Sequence, residues 1–96
     1  MADANDSAPE AHYLGHRERL RQKIVQFGAE TLQDYELLEA LLTAAIPRRD
    51  VKPLAKEILQ TFGGLSAALN AKPEELTRIS GVKEATVALF ALVREA

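Results

Sequence analysis

The sequence contains no cysteine, no tryptophan and a single methionine. Without cysteine, the chain can form neither a disulfide framework nor a zinc–thiolate site. No apolar run approaches the roughly 20 residues that a helix needs to span a bilayer. Residues 1–14 contain no Lys or Arg and no apolar stretch, so they do not resemble a secretory signal. These absences favour a soluble, cytoplasmic protein that does not enter a membrane.

A sustained alternation of apolar and polar residues, which would indicate β-strands, is also missing. With 96 residues the chain forms one domain at most. Its apolar residues recur at helical spacing, as Leu20, Ile24 and Phe27 do along one helix face. The sequence therefore predicts an all-α fold, a compact bundle of about five to six short helices.

Helix boundaries are expected at capping residues and helix breakers. Asp34 and Asp50 suit the N-cap position, and Gly28, Pro47 and Gly81 are expected to end helices. Residues 1–15 are small, polar and aperiodic, which predicts a disordered lead-in to a domain over 16–96. The side chains expected in the core are Leu20, Ile24, Phe27, Leu38, Leu41, Leu54, Ile58, Phe62, Leu69, Leu76, Ile79, Val82 and Leu89. We expect six helices, which begin near His16, Asp34, Val51, Leu65, Pro73 and Glu84.

The net charge of −2 offers no bulk attraction for nucleic acid, but the charges are unevenly distributed. Residues 1–14 carry three carboxylates, and the rest of the chain carries all 12 Lys and Arg against 11 acidic residues. Eight of these cations form two clusters, one of Arg17, Arg19, Arg21 and Lys23 and one of Arg48, Arg49, Lys52 and Lys56. Such a domain would bind DNA through local geometry and not through bulk charge.

The most informative pattern is Leu-Thr-Arg-Ile-Ser-Gly-Val-Lys-Glu-Ala-Thr-Val-Ala-Leu, from Leu76 to Leu89. It resembles a helix–hairpin–helix motif, in which a glycine supplies a backbone angle that other residues resist. Gly81 takes that position, and Val82 is expected to plug the hairpin into the core. The free N–H groups of the hairpin and of the next helix would then bind one phosphate without reading sequence. A plain helix–glycine–helix corner has the same spacing, so the motif alone leaves both interpretations open.

The preceding segment, Phe62-Gly63-Gly64-Leu65-Ser66, looks like the first hairpin of a tandem pair, as in domains of the UvrC and RuvA types. Two such hairpins can grip two phosphates. Residues 16–96 as a whole resemble the amino-terminal domain of the RadC family, named as DNA-repair proteins. This resemblance is carried by 16–21, 32–39, 46–56 and the two hairpins.

The RadC resemblance implies a further domain of the JAB/MPN type, with a zinc-binding His-x-His and a downstream Asp. This chain contains neither, so we expect no catalytic residue, metal or cofactor here, and any hydrolase activity would belong to that other domain. His12 and His16 are four residues apart and could form a metal pair, but a solvated surface is the expected role. The implied partners are the DNA backbone and the C-terminal domain of a full-length protein.

Two positions depart from the family pattern. Lys83 stands where a second hairpin glycine is expected, and Lys72 stands where a Ser or Thr cap is common. If residue 83 is left-handed, a lysine there costs roughly 1 kcal/mol. Its ammonium would offset that cost by contacting the incoming phosphate, with a gain of about 1 kcal/mol.

The sequence thus predicts a sequence-independent DNA-binding accessory domain. Its candidate DNA-binding residues are Gly63, Gly64, Ser66, Gly81, Val82, Lys83, Arg48, Arg49 and Lys52. The alternative is a protein-interaction or dimerisation module, which a near-neutral surface also suits. A hairpin-type DNA glycosylase would need a longer chain and a catalytic Asp after the hairpin, which is absent.

Other charged and aromatic residues have two interpretations each. The run from Arg17 to Lys23 could track phosphates or form a solvated helix side, and Arg48-Arg49 could contact an anion from its loop. Tyr35 and Phe90 could stack on bases, although core packing is the commoner role for aromatic residues. The acidic residues, by contrast, are expected to be exposed helix charges: Glu36, Glu39, Glu74 and Glu75.

Overall fold

The computed structural model of the chain describes residues 9–96, with side chains from residue 14 onward. This part of the chain contains six α-helices, one 3₁₀ turn and no strand, which confirms the all-α prediction. In chain order they are α1 Pro9–Phe27, the 3₁₀ turn Ala29–Thr31, α2 Asp34–Ala45, α3 Lys52–Phe62, α4 Leu65–Leu69, α5 Pro73–Leu76 and α6 Glu84–Glu95. No helix of the described part is both long and apolar enough to cross a membrane.

The first helix begins earlier than the sequence predicts. It starts at Pro9 and not at His16, so the chain is already helical over 9–15, a stretch predicted as part of a disordered lead-in. Proline is compatible with a first helical position because its missing N–H would have no partner there. Residues 1–8 lie outside the described part of the chain.

Two N-caps also lie one residue from their predicted positions. The cap of α2 is Gln33 and not Asp34, because the Glu36 carboxylate accepts the Gln33 N–H at 2.9 Å and fixes the first turn from there. The cap of α3 is Val51 and not Asp50. Asp50 still contributes, since its Oδ1 accepts the Lys52 N–H at 3.1 Å. Glu36 and Asp50 therefore each stabilise a helix start without occupying the N-cap position.

The core is built from α2 to α6 and the turns between them. Its buried members are Leu38, Leu42, Val51, Leu54, Ala55, Ile58, Ala68, Leu76, Ile79, Val82 and Phe90. Most predicted core residues lie here or pack against this cluster, including Phe62, Leu69 and Leu89. Phe90 is fully buried, so the core interpretation of this aromatic residue is confirmed.

Helix α1 packs against the outside of this core and contributes no member to it. Leu20 is buried as predicted, and Ile24 is half-buried. The prediction for Phe27 is wrong, because 60% of this residue is exposed. Phe27 is the last residue of α1, where Gly28 turns the chain away at φ 86°. The helical spacing identifies the correct face, but it does not show how far along the helix the packing extends.

Candidate functional site

The turn between α5 and α6 has the backbone geometry that the hairpin pattern requires. Gly81 has a φ of +99°, a left-handed conformation that favours glycine. The Val82 N–H donates to the Ile79 carbonyl at 3.1 Å, and both side chains are buried. The predicted roles of Gly81 as the turn residue and Val82 as the core plug are therefore confirmed.

Lys83 does not have the left-handed backbone that the sequence argument considered. It is the N-cap of α6, with φ −128° and ψ −169°, an extended conformation open to any residue. No non-glycine residue of the described chain has a positive φ. Lys83 therefore carries no backbone strain, and its exposed ammonium needs no offsetting role.

Helix α6 presents free backbone donors at its first turn. The N–H groups of Thr86 and Val87 both donate to the Lys83 carbonyl at 3.1 Å. Those of Lys83, Glu84 and Ala85 have no acceptor within residues 9–96, as is usual for the start of a helix. Glu84 is exposed in this turn. Its carboxylate is favourable for the helix but would repel an incoming anion.

The loop between α2 and α3 places two arginines beside this turn. A Cβ added to Gly81 would lie 2.7 Å from Nη1 of Arg49, so the Arg49 guanidinium lies directly against the hairpin backbone. The loop and the turn enclose a cleft of about 470 Å³. We call it the hairpin cleft; its lining comprises Ala45, Ile46, Pro47, Arg48, Arg49, Gly81, Lys83, Ala85 and Thr86. Three cations thus meet the N-terminus of α6 in one concave surface.

A side chain of α1 holds this loop in place. The Arg17 guanidinium donates to the carbonyls of Ile46 at 2.6 Å and Pro47 at 2.9 Å, and also to the carbonyl of Arg49. Arg17 therefore holds the loop, a role that neither interpretation of the run from Arg17 to Lys23 included. Its role could not be read from the sequence, because its partners lie about 30 positions further along the chain.

The first predicted hairpin does not contribute to the cleft. Gly63 ends α3 with φ +90° and Gly64 precedes α4, which spans five residues, while Ser66 is exposed on that short helix. None of the three lines the hairpin cleft, and neither does Lys52. The structure thus brings Arg48, Arg49, Gly81 and Lys83 together and leaves Gly63, Gly64, Ser66 and Lys52 outside the cleft. Val82 lies in the same turn, but its side chain is buried.

Comparison with known proteins identifies the family. The family model described as UPF0758 N-terminal matches residues 12–88. The chain belongs to the UPF0758 N-terminal family. It is 50% identical over 72 residues to a UPF0758 protein of Ruegeria pomeroyi, covering 75% of this chain and 32% of that one. No solved structure matches the sequence.

Two further relatives show how much of the longer proteins this domain represents. A UPF0758 protein of Rhodobacter capsulatus is 47% identical over 77 residues, covering 80% of this chain and 36% of its own length. One of Fusobacterium nucleatum is 41% identical over 81 residues, covering 84% and 35%. The chain therefore spans about a third of the length of the curated relatives that it matches.

This UPF0758 N-terminal domain also contains a buried acidic residue that the sequence did not reveal. The prediction that Glu39 is exposed is wrong, since only 2% of the residue is exposed. Its Oε2 lies 2.8 Å from Nε2 of the half-buried His16, which joins α1 to α2. Glu39 lies one turn after Tyr35 on α2, on the side that α1 covers. His16 is therefore a structural partner and not a freely solvated residue.

Glu36, unlike Glu39, is paired with a lysine and with a backbone N–H group. Its carboxylate accepts the Gln33 N–H and also lies 3.3 Å from Nζ of Lys23. The backbone hydrogen bond, helped by Lys23, lowers the pKa of Glu36 from the ordinary value of 4.5. Among the described residues, no group of His, Asp and Glu side chains is arranged to hold a metal ion. The alternative of a metal pair formed by His12 and His16 cannot be followed, because the His12 side chain lies outside the described part.

A second concave surface lies between α1 and α2. This groove of about 430 Å³ is lined by apolar and basic side chains, including Leu14, Ile24, Val25 and Arg21. Val25 and Leu14 are 82% and 52% exposed. The groove is separate from the hairpin cleft, and Arg17, which lines it, connects the two through its bonds to the loop.

Proposed function

We propose that this domain binds the DNA backbone without reading base sequence and that the hairpin cleft is the binding surface. The observation that carries the proposal is that Arg48, Arg49 and Lys83 line one cleft with Ala85 and Thr86 of the first turn of α6, the turn that starts with free N–H groups. These groups are all donors, and phosphate oxygens are the acceptors for which this combination is suited. Contacts of this kind fix a protein on the duplex but carry no sequence information.

The tight corner between α5 and α6 keeps the donors of the cleft accessible to a phosphate. Gly81 lets backbone approach closely, as its φ of +99° and missing side chain leave the hairpin open except for Arg49. Two to three phosphates are within the capacity of three cations. The affinity expected for such a site lies in the non-specific range of ~10⁻⁴–10⁻⁶ M.

The resemblance to RadC-type proteins extends the proposal to the longer relatives. There the domain would serve as a non-catalytic accessory to a zinc-dependent domain of the JAB type, in a protein associated with DNA repair. The DNA backbone and that second domain would be its partners. Helix–hairpin–helix units, with the α5–α6 corner as the principal one, are the architecture that this role implies.

The test measures binding of a fluorescent duplex by anisotropy at low salt. Arg48→Gln, Arg49→Gln and Lys83→Gln should each weaken binding several-fold. Lys72→Gln, which removes an exposed lysine outside the cleft, should not. Equal effects of all four variants would mean that the cleft is not the binding surface.

The exposed Leu14 and Val25 of the α1–α2 groove favour a second candidate function, a docking or dimerisation module. An apolar contact of this kind is insensitive to salt, in contrast to phosphate binding. Sedimentation of the chain over a range of concentrations, compared with Val25→Ser, tests this candidate. Loss of self-association in the variant would support it.

A further inference from the structure

A cluster of one tyrosine and two lysines lies outside the hairpin cleft. Nζ of Lys56 is 5.5 Å and Nζ of Lys52 is 6.0 Å from the centroid of the Tyr35 ring. Lys52 and Lys56 are one turn apart on α3, and Tyr35 lies in the first turn of α2. We call these three residues the tyrosine–lysine cluster.

The chemistry of this cluster suits a nucleotide. An aromatic ring accepts any base by stacking, and an ammonium next to it can pair with the phosphate of the same nucleotide. Tyr35 is half-buried, so part of it remains at the surface. In the free domain both ammonium groups lie over the ring by cation–π attraction, so a base that stacks on that face displaces them towards its phosphate.

Both ammonium groups remain available for a phosphate. Among residues 14–96, the ion pairs do not include Lys52 or Lys56. The carboxylate of Glu36, which follows Tyr35 in the chain, is already occupied by Lys23 and by the Gln33 N–H. Glu36 therefore does not compete for the two lysines.

The cluster is also close to the hairpin cleft along the chain. Arg49 and Lys52 are three positions apart, so their Cα atoms are separated by at most roughly 11 Å, at 3.8 Å per peptide unit. The Lys52 N–H is held by the Asp50 carboxylate at 3.1 Å, which limits the motion of this connection. The cleft and the cluster are therefore joined by a short, restrained segment of chain.

We propose that Tyr35, Lys52 and Lys56 bind one unpaired nucleotide, with its base stacked on the tyrosine ring and its phosphate on the lysines. This inference rests on the proposed DNA-backbone function, and it names the substrate class as DNA with a single-stranded gap. Bases inside a duplex already have both faces stacked, so only an unpaired base can use the ring.

The experiment compares three DNA substrates of equal length by fluorescence anisotropy. One is a complete duplex, one contains a gap with three unpaired nucleotides, and one contains the same gap with those three bases removed. We expect the gapped DNA to bind about five-fold more tightly than the duplex, the low end of base–aromatic stacking. The abasic gap, which retains its phosphates, should bind like the duplex.

Variants separate stacking from folding. Tyr35→Phe should retain the preference for gapped DNA, and Tyr35→Leu should remove it while leaving duplex affinity unchanged. Lys56→Gln should reduce the preference, and Lys72→Gln should not. Thermal unfolding of Tyr35→Leu checks that it is folded, and the abasic comparison needs no variant at all.

The outcomes also separate this inference from the proposed function. If the duplex binds but the gapped and abasic substrates bind equally, or if folded Tyr35→Leu keeps the preference, the inference is wrong and the cleft proposal is untouched. If no duplex binding occurs but gapped DNA binds in a Tyr35-dependent manner, the cleft proposal fails and the cluster stands.

Discussion

At the scale of single residues, the position of Lys83 is subject to two conflicting demands, helix capping and phosphate binding. Its extended backbone suits a helix cap, but a lysine side chain does not cap the free N–H groups of α6. A serine there would accept one of them. Lys83→Ser should therefore raise the free energy of unfolding by about 1 kcal/mol and weaken DNA binding by one phosphate contact. Chemical denaturation and anisotropy measure the two effects, and unchanged affinity would remove Lys83 from the site.

Glu84 is the acidic counterpart of Lys83 in the same turn. Its carboxylate lies in the same first turn as the proposed phosphate site, so Glu84→Gln should strengthen DNA binding about two- to five-fold at low salt. The same change should cost a few tenths of a kcal/mol in stability through the helix dipole. Glu74→Gln, in the first turn of α5, is the matched control and should leave affinity unchanged. A variant of Glu84 that binds no better would place phosphate away from this turn.

Glu36 links stability to pH. Because its pKa in the folded domain is lowered, Glu36 stabilises the fold above the ordinary value of 4.5, and this contribution is lost as pH falls through the folded pKa. Glu36→Gln should therefore be less stable than the parent at neutral pH, and the difference should shrink below 4.5. Urea unfolding at several pH values measures this. A constant difference across that range would argue against the linkage.

At the scale of secondary-structure elements, the α5–α6 corner depends on Gly81. An alanine there has an unfavourable φ and a Cβ that lies 2.7 Å from Nη1 of Arg49. Gly81→Ala should cost about 1–2 kcal/mol in stability and should also displace Arg49, which weakens DNA binding. Gly63→Ala is the matched comparison, since its φ is +90° but nothing lies within 4 Å of an added Cβ. Equal loss of binding in the two variants would show that strain, and not Arg49, is responsible.

The elements themselves were largely predictable from the sequence. The apolar spacing and the helix breakers locate all six helices of the described part, including the short helices α4 and α5. The predicted roles of Gly81 and Val82 depend on local backbone chemistry, which sequence patterns capture. The hydrogen bonds from Arg17 to the α2–α3 loop, and the contact between Glu39 and His16, join positions far apart in the chain. No local sequence pattern encodes them.

In the candidate site, too, local features were predictable from the sequence and contacts between distant residues were not. The sequence identifies Arg48, Arg49 and Lys83 as cations beside helix starts, but only the folded chain shows that they share one cleft. The fold also places Gly63, Gly64 and Ser66 outside this cleft, whereas the tandem motif alone would group these residues with the three cations. The sequence favours a core role for Tyr35. Its pairing with Lys52 and Lys56 is visible only in the folded chain, because it requires α2 and α3 to be packed together.

At the scale of the whole molecule, the net charge disfavours DNA binding, whereas the local charge of the hairpin cleft favours it. The chain has a net charge of −2, and its long-range field therefore does not attract DNA. Binding has to come from the few cations of the hairpin cleft. Arg17 ties that cleft to α1, so the longest helix supports the site without contributing to its surface.

The salt dependence of DNA binding tests this account most directly. Each neutralised phosphate contributes about −0.9 to the slope of log affinity against log salt, so two or three contacts predict roughly −2 to −3. The variant with Arg48, Arg49 and Lys83 all changed to Gln should have a slope near zero. A variant with Arg19, Arg21 and Lys72 changed to Gln has the same net charge and should keep the parent slope. If the two triple variants lose the same slope, or if the parent shows none, the hairpin cleft does not bind DNA phosphates.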